Sequence, residues 1–208
     1  MESIQMFCYV LVHGGKNTGE VWNKVAPFLQ RHKRKVFCPT LSNSYKSTLQ
    51  DHIDEVCLLI RDNGLDKVIL VGHSYAGMVI TGVADNIPEK LSHLIYVDAA
   101  VPENGQSLFD ILNATGHNAQ KYYGIEPLKP FTDPLTFNAE KIKGMLKSYI
   151  LCTESEFIKV SRPMFDKFKK AHKDDNWSTY EINSSHHVMV NHPKELVKIL
   201  LQITKKLI

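Results

Sequence analysis

Short apolar runs alternate along the chain with segments whose apolar residues recur every three or four positions. Gln5 to Val12 (QMFCYVLV) is apolar almost throughout and stops at His13-Gly14-Gly15, the pattern of a strand buried on both faces. Glu20 to Gln30 follows as a helix, with Val21, Trp22, Val25, Phe28 and Leu29 on one face. Lys35 to Cys38 predicts a short second strand ended by Pro39. Ser47-Thr48-Leu49-Gln50 has the form of a capping box, with the Ser47 hydroxyl and the Gln50 side chain placed to satisfy free N–H groups. Behind it Leu49, Ile53, Val56, Cys57 and Ile60 keep helical spacing as far as Gly64, a left-handed stop.

Lys67 to Gly72 (KVILVG) predicts another buried strand, Met78 to Asp85 a helix and Leu91 to Val97 (LSHLIYV) the next strand. From Pro102 to about Lys147 the alternation gives way to glycines, prolines and short amphipathic pieces, which suggests an inserted cap rather than more sheet. Order resumes with a strand at Ser148 to Cys152, a helical stretch around Pro163 to Ala171, a strand at Ser178 to Ile182 and a closing helix, Lys194 to Leu207. Strands alternating with helices predict an α/β fold, a mostly parallel, doubly wound sheet covered on both faces. The 208 residues suit a single domain, 1–208, with its cap insertion at about 102–147.

Composition narrows the function more than the fold. Hydrophobic residues make up 43% and charged residues 23%, ordinary for a soluble globular protein. The net charge of +3 is small and the lysines are scattered, so nucleic acid is not an expected partner. Met1 leads directly into the first apolar run, and neither a signal peptide nor a membrane span is expected. Cys8, Cys38, Cys57 and Cys152 lack CxxC spacing, which argues against a disulfide framework or a zinc site. Cys8, Cys57 and Cys152 lie in apolar runs, where cysteine behaves as a small hydrophobe. A cytoplasmic location fits this usage.

The candidate chemistry is concentrated in Gly72-His73-Ser74-Tyr75-Ala76-Gly77, between a predicted strand and a predicted helix. A tight turn in that context lifts a serine hydroxyl above the sheet edge, and strain at the serine requires small residues two before and two after it. Gly72 and Ala76 meet that requirement. A plain glycine-rich turn, or one that binds phosphate, is the competing reading; the GxGxxG and GxxxxGK[ST] patterns are absent. An oxyanion needs backbone N–H donors, which Tyr75 and Gly15 are placed to supply. The histidines of Asn183-Ser184-Ser185-His186-His187-Val188-Met189 lie between the last strand and the last helix, where a loop overhangs the elbow. Either can serve as base; His186 is preferred because it comes first after the small Ser184-Ser185 pair. A metal site from His186, His187 and His192 is a weaker alternative. His73 is expected to pack within the elbow and His13 to fix its loop, while His32, His52, His93, His117, His172 and His192 read as surface or satisfied polar residues.

The segments LVHGG (Leu11 to Gly15), GHSYAG (Gly72 to Gly77), YVDAAVPENGQS (Tyr96 to Ser107) and SHHVMVNHP (Ser185 to Pro193) resemble the α/β-hydrolase superfamily. More narrowly, they are similar to the small branch of plant methyl-ester esterases, salicylate-binding esterases, hydroxynitrile lyases and bacterial relatives. The resemblance implies Ser74 as nucleophile, His186 as base, an oxyanion hole from Gly15 and Tyr75, and the chain order serine, acid, histidine. Lyases of the branch carry lysine directly after the catalytic histidine, where this chain has His187; ester hydrolysis is therefore the expected reaction.

Two carboxylates fit the acid. Asp98 ends the strand after the elbow helix, a place where some relatives keep their acid. Glu156 follows the next strand, where plant members place theirs as aspartate. Asp98 is preferred because it is short, tied to a strand end and set among apolar residues, where an unpaired charge is costly. Glu156 reads alternatively as a helix N-terminal charge. No cofactor is expected, and the partner is a small or medium ester whose apolar part meets the cap. A ligand-binding receptor on the same fold, a lyase and a carbon–carbon hydrolase are the alternatives.

Overall fold

The computed structural model describes residues 7–116, 118–171 and 176–205. The strands β1 (Cys8–Val12), β2 (Lys35–Phe37), β3 (Val68–His73), β4 (Leu91–Val97), β5 (Lys147–Cys152) and β6 (Trp177–Ile182) form one sheet in the order β2-β1-β3-β4-β5-β6. Every neighbouring pair is parallel, so the strands' C-terminal ends share one edge. Alternate residues face opposite layers. Val10, Leu70, Tyr96 and Tyr149 pack on the side of α2 (Leu49–Asp62), α3 (Ala76–Asn86) and α8 (Ile158–Ala171). Tyr9, Ile69, Val97 and Ile150 pack on the side of α1 (Ala26–Arg31) and α10 (Pro193–Lys205). This is the doubly wound α/β arrangement that the apolar runs predict, and burial on both faces is why the central strands are apolar throughout. Of the predicted first strand, Gln5 and Met6 lie outside the described residues, as does Leu207 of the predicted last helix.

Several boundaries differ from the sequence expectation. Glu20 to Gln30 is not one helix: Gly19–Trp22 forms a 3-10 turn, and α1 starts only at Ala26 with Pro27 in its first turn. Proline lacks an N–H and suits a helix start rather than its middle. α8 begins at Ile158, five residues before the expected Pro163, which lies inside the helix. The proline is tolerated there because its apolar stripe of Val160, Phe165 and Phe168 is buried. Between β4 and β5 the chain forms short helices, α4 (Leu108–Asn113), α5 (Ala119–Tyr123), α6 (Lys129–Thr132) and α7 (Ala139–Lys143). A further short helix, α9 (Val188–Asn191), precedes α10. No helix among the described residues is long and apolar enough to cross a membrane.

The capping box of α2 is shifted by one residue. Thr48, not Ser47, is the N-cap, and its hydroxyl accepts from the Asp51 N–H at 3.1 Å while Asp51 Oδ2 accepts from the Thr48 N–H at 2.7 Å. The Ser47 hydroxyl instead donates to the Asn43 carbonyl at 3.0 Å, within the preceding turn. Thr48→Ala is expected to cost about 1 kcal/mol of stability, the usual effect of losing a cap, while Gln50→Ala stays within about 0.5 kcal/mol. Urea unfolding of the two variants checks the assignment; a larger loss for Gln50→Ala would reinstate the other register.

His93 of β4 is buried, with Nε2 at 2.8 Å from Ser148 Oγ and, among the described residues, no partner for Nδ1. Burial, with Lys147 adding repulsion, lowers its pKa to about 4. A folded-state value below the unfolded one means the unfolded chain takes up the proton first, so stability falls as pH drops below about 6.5. Between pH 7.5 and 5 wild type should lose on the order of 2 kcal/mol more than His93→Leu, read from chemical denaturation at both pH values. Equal losses would contradict this account.

Candidate functional site

The strand β3 runs out into Ser74, whose φ of 56° lies in the left-handed region. That conformation is strained for serine and is held by main-chain bonds: the Ser74 N–H donates to the Val97 carbonyl at 3.2 Å, and the Gly77 and Ala100 N–H groups donate to the Ser74 carbonyl, both at 3.1 Å. A Cβ on Gly72 would sit 2.7 Å from the Ala76 carbonyl oxygen, so the turn closes only with glycine there. A Cβ on Gly14 would lie 2.9 Å from Ser74 Cβ, which brings the loop after β1 directly beside the serine. The elbow anticipated from Gly72 to Gly77 is thus present as backbone geometry.

At the same sheet edge, Asp98 continues β4 by one residue, its N–H donating to the Ile150 carbonyl at 2.8 Å. Its φ of 44° is again left-handed, and its side chain is fully buried. The carboxylate is met by three donors. His186 Nδ1–H donates to Oδ2 at 2.7 Å, the buried Ser155 hydroxyl donates to the same oxygen, and the Cys152 N–H donates to Oδ1 at 3.4 Å. Glu156 takes a different place: its Oε2 accepts from the main-chain N–H of His186 at 3.3 Å. Hydrogen bonds from its own main-chain N–H and from that of His186 hold Glu156 below the usual carboxylate range. Of the two carboxylates weighed for the acid, Asp98 meets the imidazole and Glu156 meets the backbone.

Among the described residues no hydrogen bond joins Ser74 to His186; the contact between their segments is made by His73, the residue before the serine. His73 is fully buried, donates from Nε2 to the His186 carbonyl at 2.9 Å, and packs its ring against that of His186 at a centroid distance of 4.4 Å. Burial first, and then the neighbouring His186, keeps the His73 pKa well below the ordinary imidazole value. Phe157 also packs near the His186 ring, with ring centroids 5.1 Å apart. The exposed ring of His187 is also lowered, by desolvation and by His186. His192 Nδ1 pairs with Ser184 Oγ at 3.1 Å, so the ring nitrogens of the Ser185 to Pro193 segment are drawn to different partners.

On the opposite side of the elbow, Gly15 and Tyr75 stand next to each other: a Cβ on Gly15 would lie 3.9 Å from Tyr75 Cβ. Among the described residues neither of their amides donates to a backbone carbonyl. His13 fixes this loop as its position suggests, donating from Nδ1 to the Gly14 carbonyl at 2.8 Å while Nε2 accepts from the Leu41 N–H at 3.0 Å. A cavity of about 420 Å³ opens beside Gly15 and Tyr75, walled by Leu41, Leu128 and Phe131.

Two contributors had no clear signal in the sequence. His52, on α2, accepts from the Tyr75 hydroxyl at 2.9 Å through Nδ1 and donates to the Ser42 carbonyl at 3.0 Å through Nε2. It is a satisfied polar residue, as expected, but one that anchors the residue following Ser74. Ser155 sits beside Glu156 and was overshadowed by it; nothing in a lone serine announces a bond to a carboxylate 57 positions earlier. His117 and His172 lie outside the described residues.

Comparison with known proteins bears on the family and the fold. Over 112 residues the chain is 44% identical to a carbendazim-hydrolyzing esterase of Nocardioides sp. (strain SG-4G), covering 50% of this chain and 46% of that protein. Over 104 residues it is 35% identical to methylesterase 9 of Arabidopsis thaliana, covering 46% and 41%. These matches therefore span about half the length of the curated relatives. A solved extracellular α/β-hydrolase from a Paenibacillus species superposes with a TM-score of 0.78 at 20% identity, over 95% of this chain and 98% of that one, a likeness of fold. The profile described as alpha/beta hydrolase fold matches residues 10–190, most of the described sheet and both sides of the candidate site, and the chain belongs to that family.

Proposed function

We propose that the protein is a serine hydrolase that cleaves a small or medium carboxylic ester through an acyl-enzyme. Ser74 is the nucleophile, His186 the base, Asp98 the acid, and the Gly15 and Tyr75 amides form the oxyanion hole. The observation that carries this reading is the 2.7 Å hydrogen bond between Asp98 and His186 at the sheet edge that presents the strained Ser74. The carboxylate holds Nδ1–H, which leaves Nε2 of His186 to accept the Ser74 proton. Nucleophile–base contacts in hydrolases are commonly loose before substrate binds and tighten around it.

In this mechanism Ser74 Oγ attacks the ester carbonyl as His186 takes its proton. The negative oxygen of the tetrahedral intermediate is held by two amide donors, and Asp98 stabilises the imidazolium. His186 returns the proton to the departing alcohol, leaving an acyl-Ser74 ester. Water, deprotonated by the same imidazole, then releases the acid. No metal or organic cofactor is required for these steps. The esterase and methylesterase names of the relatives support the substrate class. The segment of about 102–147 acts as a cap on a single domain. Four unpaired cysteines suit a reducing compartment such as the cytoplasm.

Hydrolysis of a nitrophenyl ester by single variants tests the roles. Ser74→Ala should lose roughly 10⁴-fold or more in kcat/KM with its fold intact. Asp98→Asn should lose roughly 10²–10⁴-fold, and Glu156→Gln no more than about tenfold. Full activity in Ser74→Ala would remove the mechanism. A crippling loss in Glu156→Gln with Asp98→Asn spared would move the acid to Glu156.

A further inference from the structure

We propose that Ser155 is a positioning residue of the reaction, its hydroxyl setting how the Asp98 carboxylate is turned toward His186 and holding it there through turnover. The inference rests on the hydrolase reading above and adds a fourth side chain to it. The torsion that turns an aspartate carboxylate about its last bond has no sharp preferred value, so a rotamer alone does not aim the oxygens. The main chain of Asp98 is pinned to Ile150, which leaves the carboxylate plane as the free variable. The bond from His186 cannot both be aimed by the carboxylate and aim it. Among the described residues two other donors reach the group. The Cys152 N–H meets Oδ1 at 3.4 Å, long for a hydrogen bond, whereas the Ser155 hydroxyl donates to Oδ2, the oxygen that His186 also uses.

Ser155 is itself firmly held. It is buried, and its hydroxyl oxygen accepts from the Phe157 N–H at 2.9 Å. With that lone pair occupied, its single proton turns to the carboxylate. Its own N–H donates to the Cys152 carbonyl at 3.3 Å, and its carbonyl accepts from the Ile158 N–H at 3.1 Å, where α8 begins. The N–H of the preceding Glu154 donates to the Ser184 carbonyl at 3.0 Å, two residues before His186. The turn that carries Ser155 is therefore fastened to the loop that carries the imidazole. Ser155 Oγ lies 3.4 Å from His186 Nδ1, beside the ring but with its proton committed to Asp98. A hydroxyl that only closed the turn would need the Phe157 bond and no carboxylate.

Hydrolysis of nitrophenyl acetate separates positioning from packing. Ser155→Ala should lower kcat about tenfold or more with KM within about threefold, because a misaimed imidazole slows the chemistry rather than binding. Ser155→Cys keeps a side chain of similar shape but a weak donor, and its kcat should fall between those of Ser155→Ala and wild type. The decisive comparison removes the carboxylate: in an Asp98→Ala background, Ser155→Ala should change kcat by less than about threefold. An equal loss in both backgrounds, a Ser155→Cys rate equal to wild type, or a Ser155→Ala rate within about threefold of it would overturn the proposal. Rates are taken per folded molecule, from the denaturation curve of each variant. If Ser155→Ala does not fold, Ser155→Cys carries the same comparison across the two backgrounds. Failure of the hydrolase reading itself looks different: Ser74→Ala would then keep the wild-type rate.

Discussion

A carboxylate enclosed by protein and left without partners costs several kcal/mol, and Asp98 is fully enclosed. Its three donors are therefore a condition of the fold as well as a feature of the site. They come from separate parts of the chain: Cys152 at the end of β5, Ser155 just after it, and His186 beyond β6. Each arrives because parallel strands end at one edge and deliver their following loops side by side. A shift of β5 or β6 by one residue would exchange their inward and outward faces and leave Asp98 with a bare charge. The same bonds that settle this charge orient the His186 ring, so the position of the imidazole is fixed by a requirement of folding.

Positive charge in the site is confined in a similar way. The rings of His73 and His187 lie 4.4 and 5.5 Å from that of His186, and a second imidazolium so close would oppose the first. Burial resolves the conflict for His73, whose depressed pKa leaves it neutral as it donates to the His186 carbonyl. In the proposed mechanism the imidazolium would then form on the ring whose Nδ1 is bonded to Asp98.

Much of this arrangement was legible in the sequence, for identifiable reasons. The apolar runs marked the strands because burial on both faces leaves no polar position, and β4 matches its predicted bounds at both ends. The elbow was legible because steric closeness at Gly72 and Gly14 restricts residue type, a constraint written directly in the sequence. Helix ends were less so. Both Ser47 and Thr48 offer a hydroxyl three residues ahead of a polar side chain, and the choice of Thr48 depends on Ser47 being drawn to Asn43 in the turn. Likewise Pro163 reads as a helix start, but the burial of Val160 and Phe165 extends α8 ahead of it. His52 and Ser155 act through contacts 23 and 57 residues distant, and no local pattern encodes those.

The two carboxylates illustrate where local reasoning ends. Both lie just beyond a strand at the same edge, and both touch His186. What separates them is which part of the histidine each reaches. Glu156, on a more exposed turn, bonds the main chain and thereby sets where the loop enters the site. Asp98, with one fewer methylene and a main chain pinned to Ile150, has little freedom and meets the ring. Orienting an imidazole needs an acceptor that does not move, and rigidity comes from the short side chain on the ladder of the sheet. The longer acid is better suited to holding a loop whose backbone must itself be positioned before the ring can be.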